Sequence, residues 1–190
     1  RTVPYLPVLL PHLFDVTRRS RRNRPTCVAT IAGIALHAGP HMIQFLPELT
    51  HLALDYWDDA TLESMLYLTE CLAAAVSDDV CAFLARTVTR FVISLDACAR
   101  TQPLNAPLVH RFLETMQVDD VHFGDYIHLC VPVVVRIVAA TETPAPVVAD
   151  CALALATLCQ STDIATPFAM VIHAFLSVTA RYAATLRRLM

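Results

Sequence analysis

Apolar residues recur at helical spacing along nearly the whole chain. In residues 5–16, Leu6, Leu9, Leu10, Leu13 and Phe14 follow the i, i+3, i+4 pattern and share one face of a helix. Comparable apolar runs predict further helices at 26–38, 41–57, 60–77, 80–97, 106–117, 126–139, 144–159, 164–178 and 181–190. Short polar segments separate these runs, and no stretch shows the strict alternation of a strand. The pattern therefore predicts an all-α protein.

The polar segments carry residues that are typical of helix ends. Gly39 followed by Pro40 predicts the end of the helix at 26–38. The pairs Asp58-Asp59 and Asp78-Asp79, and the single Asp163, stand just before apolar runs, and we expect them to cap those helices. Residues 118–124, which include Asp119 and Asp120, form the longest predicted loop. Helix capping also explains these paired carboxylates better than a catalytic acid pair does.

A similar helical segment recurs at nearly constant spacing. Its copies align at Tyr5, Phe45, Phe83, Tyr126 and Pro167, which lie 40, 38, 43 and 41 residues apart. A period near 40 with two helices is typical of HEAT and armadillo repeats, and HEAT is favoured because each first helix is single. We predict an α-α superhelix, a HEAT/armadillo-like solenoid of about four to five antiparallel helix pairs. Residues 1–190 form one domain in this interpretation, with units at 25–58, 59–99, 104–140 and 144–178, and partial units at 1–24 and 179–190.

Composition supports helices and excludes several classes of function. Hydrophobic residues make up 56% of the chain, and there are only 3 Gly. The apolar runs are interrupted by Gly, Pro, Arg or His before they reach the roughly 20 residues of a membrane span, so we expect no transmembrane segment. A net charge of −3 argues against a nucleic-acid partner. The 7 cysteines include no C-x-x-C pair, and most are expected to be reduced core residues, as Cys151 and Cys159 illustrate. The first residue is Arg1 and the last lies in a predicted helix, so we expect a fragment of a longer protein.

The chain offers no recognisable catalytic or metal chemistry. Glycine occurs only at Gly33, Gly39 and Gly124, no phosphate-binding loop or kinase triplet is present, and there is no lysine to pair with a phosphate. We therefore expect no catalytic residue and no bound cofactor. His37 and His41 lie on either side of the Gly39-Pro40 break, and with His51 they are interpreted as capping or surface residues rather than zinc ligands.

One cluster of basic residues stands out as a candidate contact surface. Five arginines fall within seven residues, in a predicted turn between helices: Arg18, Arg19, Arg21, Arg22 and Arg24. The cluster fits a solvated turn, a contact with a protein partner or an anionic membrane, or a nucleic-acid contact, although no aromatic residues are interleaved for stacking on bases. Residues 48–70 hold six acidic residues and no arginine. The sequence therefore predicts separation of charge along the array.

Several segments resemble the HEAT-repeat region of target-of-rapamycin (TOR) kinases. They are YLPVLLPHLFDV, FLPELTHLALDYW, FLARTVTRFVISLDA, DYIHLCVPVVVRIVAATETPAPVVADCALALATLC and DIATPFAMVIHAFLSV, in this order. The similarity runs from about residue 5 to 178 and is strongest at 124–146. It implies a parent that is a very large phosphatidylinositol-3-kinase-related serine/threonine kinase. The arginine cluster departs from what the family leads us to expect at that turn.

The resemblance also implies a function for the fragment. We expect a non-catalytic scaffold segment that mediates protein–protein contacts in growth and nutrient signalling. Adaptor subunits of the raptor or rictor type, or a second copy, would be its partners. The location would be cytoplasmic or peripheral on endomembranes. The alternative is a HEAT or armadillo module of another scaffold, such as an importin-like transport receptor or a phosphatase scaffold. An all-helical enzyme would need a pocket of converging polar residues, which the sequence pattern does not supply.

Overall fold

The computed structural model describes residues 3–100, 106–118, 123–140 and 143–160, with isolated helical positions between 169 and 187. The helices are α1 Leu6–Arg19, α2 Arg24–Ala38, α3 Leu46–Tyr56, α4 Leu62–Val76, α5 Val80–Arg100, α6 Ala106–Met116, α7 Ile127–Ala139 and α8 Ala145–Gln160. Short 3-10 helices occupy Val3–Tyr5, Gly39–Phe45, Ser77–Asp79 and Phe123–Tyr126. These described residues contain no strand, which confirms the all-α prediction. The helices predicted at 164–178 and 181–190 lie outside the described residues, isolated positions apart.

The chain forms two compact units, unit 1 at Arg1–Thr87 and unit 2 at Val88–Met190, and the boundary in sequence falls inside α5. In unit 1, α1 and α2 are joined by a short turn and pack as a hairpin, and α2 packs most extensively against α4. In unit 2, α7 and α8 pack together, and α6 packs against α8. Both units bury apolar helix faces against other helices, as expected for the predicted class of helix-paired folds. The repeat boundaries remain a prediction.

The recurring aromatic position marks a helix start in three of its copies. Tyr5, Phe45 and Tyr126 each end a 3-10 helix, and the next residue begins α1, α3 and α7 respectively. Phe83 instead lies inside α5, and Pro167 lies outside the described residues. The helix predicted at 41–57 therefore starts later than expected. Proline explains the delay, because Pro47 lacks an N–H and its ring would collide with the carbonyl of Ile43 in a continuous α-helix.

The two described aspartate pairs lie in different local structures. Oδ1 of Asp58 accepts hydrogen bonds from the backbone N–H of Ala60, at 3.1 Å, and of Thr61, at 3.2 Å. These bonds form a turn ahead of α4, whose N-cap is Thr61, so the predicted capping by Asp58 and Asp59 is wrong. The Asp58 side chain binds backbone N–H groups of the turn that precedes α4, and not those of the first turn of α4 itself. The second pair lies in the 3-10 helix Ser77–Asp79, and α5 begins directly after it, as predicted.

Two helices of unit 1 end with the same unusual backbone conformation. Gly39 ends α2 with φ 58° and ψ −137°, and its N–H donates to the carbonyl of Ala35. Ser77 ends α4 with φ 47° and ψ −123°, and its N–H donates to the carbonyl of Ala73. Glycine adopts this conformation without a steric penalty, whereas a residue with a Cβ is strained there. In both places the chain then enters a 3-10 helix.

Apolar packing dominates the core of both units. In unit 2, the ring of Phe91 contacts Phe112 edge-on, with centroids 4.8 Å apart, and Phe123 at 4.6 Å. Five buried threonines each donate a hydroxyl hydrogen bond to the carbonyl four residues earlier, and these are Thr17, Thr50, Thr69, Thr87 and Thr115. Such bonds satisfy hydroxyl groups that would otherwise be buried without a partner.

One helical run passes a length and hydropathy test for a membrane span. The run covers residues 24–56, counting the 3-10 helix between α2 and α3, with a mean hydropathy of 1.3 over its most apolar window. Of that window, 39% is buried inside the protein. Gly39 breaks the α-helical geometry, and the 15 residues of α2 span about 22 Å, less than the ~30 Å of a hydrocarbon core. The expected absence of a transmembrane segment remains a prediction.

Candidate interaction surfaces

The five clustered arginines occupy three structural positions. Arg18 and Arg19 form the end of α1, Arg21 and Arg22 lie in the turn, and Arg24 is the first residue of α2. The turn is therefore shorter than the sequence indicated. Positive side chains at the C-terminal end of α1 interact favourably with the helix dipole, which helps to explain why the helix continues through Arg19.

Arg24 is committed to contacts inside unit 1. Its Nε donates a hydrogen bond of 3.0 Å to the carbonyl of Thr17, and its guanidinium carbon lies 4.0 Å from the centre of the Tyr56 ring. Its Nη1 lies 3.7 Å from Oδ2 of Asp58, and only 11% of its side chain is exposed. We call this group of Arg24, Thr17, Tyr56 and Asp58 the arginine joint. It connects the end of α1 to the end of α3.

The other four arginines are exposed, and we call them the arginine turn. Arg18 pairs with Glu48, and Nε of Arg19 lies 2.8 Å from Oδ1 of Asp15. Such solvent-exposed pairs contribute little to stability and exchange readily for other partners. Arg21 and Arg22 form no hydrogen bond or ion pair with the described part of the chain. A contact surface here would therefore centre on Arg21 and Arg22.

The basic cluster and the acidic segment meet within unit 1. Arg18 reaches Glu48, and Arg24 reaches Asp58, over 30 and 34 positions of sequence. The charge separation expected from the sequence is thus partly cancelled by these pairs. The linear order of charges does not reveal this effect, because the pairing depends on which helices pack together.

The histidines and cysteines singled out from the sequence lie in ordinary structural settings. Nδ1 of His37 is 2.8 Å from the carbonyl of Gly33, one turn earlier, and His41 and His51 are exposed. Among the described residues, no group of three His, Cys, Asp or Glu side chains could hold a metal ion. Five of the seven cysteines are buried, and these are Cys27, Cys71, Cys98, Cys130 and Cys151.

Burial controls the acidity of the cysteines in unit 2. Loss of solvation raises the pKa of Cys130 to about 12 and raises that of Cys151 further, with a smaller contribution from Asp150. Cys159 is half-buried, and burial raises its pKa as well. These thiols remain protonated at neutral pH, which suits packing rather than nucleophilic chemistry. The core role predicted for Cys151 is confirmed, and that of Cys159 is confirmed in part.

Unit 2 contains two polar clusters that the sequence analysis missed. In the first, which we call the histidine joint, Nδ1 of His110 on α6 lies 2.6 Å from Oδ2 of Asp150 on α8. Its Nε2 lies 3.2 Å from Oε1 of Glu114. The hydrogen bond to Asp150 is the main cause that raises the pKa of His110. His110 and Asp150 stand 40 residues apart, one period, so the repeat spacing was a usable signal.

The second cluster joins Asp96 and Arg100 of α5 to Arg136 of α7. Asp96 and Arg100 stand four residues apart, a spacing at which opposite charges pair on a helix. In the sequence, Arg136 is a single charge within an apolar run. Its partner could not be read from the sequence because the pairing depends on how α5 and α7 pack.

The described region consists of packed helices that carry clusters of charged side chains on their surfaces. No protein-family model matches the chain. The chain is similar to the serine/threonine-protein kinase TOR of Arabidopsis thaliana, with 28% identity over 145 residues. The match covers 71% of this chain and 6% of that kinase, so the chain spans a small part of its relative's length. The similarity is compatible with a helical segment of a TOR-related protein.

Proposed function

We propose that this chain is a non-catalytic HEAT-repeat scaffold segment of a TOR-like serine/threonine protein kinase. The observation that carries the proposal is the match to plant TOR across most of the chain, in a region that folds entirely as packed helices. The matched part is 6% of the kinase, which leaves ample length for a catalytic domain elsewhere in a parent of similar size. Phosphoryl transfer belongs to that other part in this proposal.

The segment acts through protein–protein contacts. Its partners are adaptor subunits of the raptor or rictor type, or a second copy of the parent, and its location is cytoplasmic or peripheral on endomembranes. The arginine turn supports this role because Arg21 and Arg22 are exposed, permanently charged and unpaired within the described part of the chain. Charges of this kind act mainly on the choice of partner and the rate of association.

Affinity capture of the full-length parent from its own cells tests the proposal. The wild type would be compared with the double variant Arg21→Glu/Arg22→Glu, and bound proteins quantified by mass spectrometry. Arg86→Glu/Arg90→Glu is a matched control, because both residues are exposed on α5 and lie outside the arginine turn. We expect a raptor-type or rictor-type adaptor with the wild type and the control, and about tenfold less with the Arg21/Arg22 variant.

One result would contradict the proposal, and another would contradict only the role of the arginine turn. Recovery of nuclear-transport cargo or phosphatase subunits in place of such adaptors would favour the importin-like or phosphatase-scaffold alternative. Equal adaptor recovery with the wild type, the Arg21/Arg22 variant and the control would be consistent with the scaffold role, but it would show that the arginine turn does not bind the adaptor. Circular dichroism of the 190-residue chain carrying each pair of substitutions would establish that the helices are intact.

A further inference from the structure

Two arginines of unit 2 share one shielded carboxylate. Nη2 of Arg100 lies 2.5 Å from Oδ2 of Asp96, and Nη1 of Arg136 lies 2.8 Å from Oδ1 of the same residue. The Asp96 side chain is 17% exposed, whereas the side chains of Arg100 and Arg136 are 68% and 52% exposed. Asp96 therefore lies beneath two guanidinium groups that remain accessible to solvent.

The cluster carries excess positive charge. Arginine stays protonated at all physiological pH values, so two positive charges face one negative charge. A guanidinium has several N–H donors, and the contacts with Asp96 occupy a minority of them. Because both side chains already pair with Asp96, binding a second anion would lose less conformational entropy than it would with two unpaired arginines.

The cluster borders a groove with apolar walls. The groove has a volume of about 460 Å³ and is lined by Val92, Ile93, Ala97 and Val133 together with the charged cluster. The side chain of Ile93 is 60% exposed, although it lies beside these apolar neighbours. The groove therefore places exposed aliphatic surface next to a cluster with one excess positive charge. Such a site fits a ligand that is apolar in one part and anionic in another.

We propose that this groove binds a peptide segment of a partner protein through one carboxylate side chain flanked by aliphatic residues. The carboxylate contacts Arg100 and Arg136, and the aliphatic neighbours cover Ile93 and Val133. A single carboxylate balances the one excess charge, whereas a phosphate dianion would bring surplus negative charge close to Asp96. The described residues of the lining include no aromatic ring on which a nucleic-acid base could stack. The site lies apart from the arginine turn in sequence, and the proposal does not depend on the identity of the parent kinase.

A titration of the 190-residue chain with defined peptides tests the proposal. The probe is a short acetylated and amidated peptide with one glutamate between two leucines, and the matched peptides carry glutamine or phosphoserine at that position. NMR would follow the Nε–H signals of Arg100 and Arg136 and the methyl signals of Ile93. We expect saturable shifts of these signals with the glutamate peptide, and about tenfold weaker binding of the glutamine peptide.

Variants locate the binding and keep the test independent of folding. Arg136→Gln should weaken binding of the glutamate peptide about tenfold. Arg90→Gln changes an exposed arginine on α5, the helix that carries Asp96 and Arg100, and should leave binding unchanged. Ile93→Ser should also weaken binding and, because the side chain is largely exposed, should leave the fold intact. Equal binding of the glutamate and glutamine peptides, equal losses in Arg90→Gln and Arg136→Gln, or tighter binding of the phosphoserine peptide would overturn the proposal.

Discussion

The arginine joint of unit 1 and the histidine joint of unit 2 both connect helices that are distant in sequence, but they differ in burial and chemistry. Arg24 is 11% exposed and carries a permanent charge that is satisfied by a carbonyl, an aromatic ring and a carboxylate. His110 is 48% exposed, and its charge depends on pH. The first joint therefore forms part of the packing, whereas the second lies on the surface of a core that packs without it.

This difference predicts where each unit derives its stability. In unit 1, a polar side chain replaces part of the apolar contact between helices, so its removal leaves buried groups without partners. In unit 2, the Phe91, Phe112 and Phe123 rings fill the interior, and the ion pair adds only what an exposed pair can add. Three substitutions test this comparison.

The largest effect is expected from Phe112→Ala in unit 2. Phe112 is fully buried against Phe91, and loss of a buried phenyl ring costs about 3–5 kcal/mol of unfolding free energy. Urea unfolding followed by circular dichroism, with hydrogen exchange of the α6 amides, measures the loss. Phe112→Leu keeps most of the volume and should cost about 1 kcal/mol. A loss below 1 kcal/mol for the alanine variant would show that the aromatic cluster does not hold unit 2 together.

Arg24→Gln should have an intermediate effect in unit 1. The change removes a charged hydrogen bond to the Thr17 carbonyl and a cation–π contact with Tyr56, at a cost of about 2 kcal/mol. Arg22→Gln is the matched control, because Arg22 is exposed, and it should change stability by less than about 0.5 kcal/mol. Urea unfolding of both variants measures the difference. Similar values for the two would mean that Arg24 is another surface arginine and that the contrast between the joints is mistaken.

The smallest effect is expected at the histidine joint, and it depends on pH. The pKa of His110 is raised above 6.5 in the folded state, mainly by the hydrogen bond to Asp150; Glu114 also raises it, whereas burial and Arg111 lower it. The stabilisation is therefore fully present below pH 6.5 and is lost as pH rises through the raised pKa. Because about half of the His110 side chain is exposed to solvent, we expect the pair to contribute at most about 1 kcal/mol to the unfolding free energy.

Unfolding free energies measured from pH 5 to 9 test this sign. The difference between wild type and His110→Gln should shrink as pH rises, and Asp150→Asn should show the same trend because it removes the partner. The Arg24→Gln difference should stay constant over the range, since arginine does not titrate there. A His110→Gln difference that grows with pH would contradict the assignment of the joint.

Helix positions could be predicted from the sequence because they follow local apolar periodicity. Side-chain pairings between helices could not, because they depend on which helix faces pack together. The apolar spacing of α1, α5 and α7 predicted their positions closely, because a buried helical face leaves a regular pattern. The 3-10 helix before α3 was missed, since its cause is Pro47 acting on the preceding turn. Asp58 was misplaced as a cap because its sequence context does not distinguish a turn from a helix start.

Side-chain roles were harder to predict than helices. Arg22 and Arg24 look alike in the sequence, yet one is exposed and the other packs on Tyr56. Their difference is set by which helix face meets α3, and no local pattern records that. For the same reason, the sequence does not predict that Arg100 and Arg136 pair with the same carboxylate of Asp96. That pairing depends on how α5 and α7 pack.

The helix ends at Gly39 and Ser77 have a consequence for recognising repeats of this kind. Nearly the same torsion angles recur at the two positions, yet one residue is glycine and the other is serine. The backbone conformation is therefore shared by the two helix ends, whereas the residue type is not. A sequence pattern that requires glycine at the C-terminal end of the helix would match Gly39 and would not match Ser77. Alignment of torsion angles would detect both.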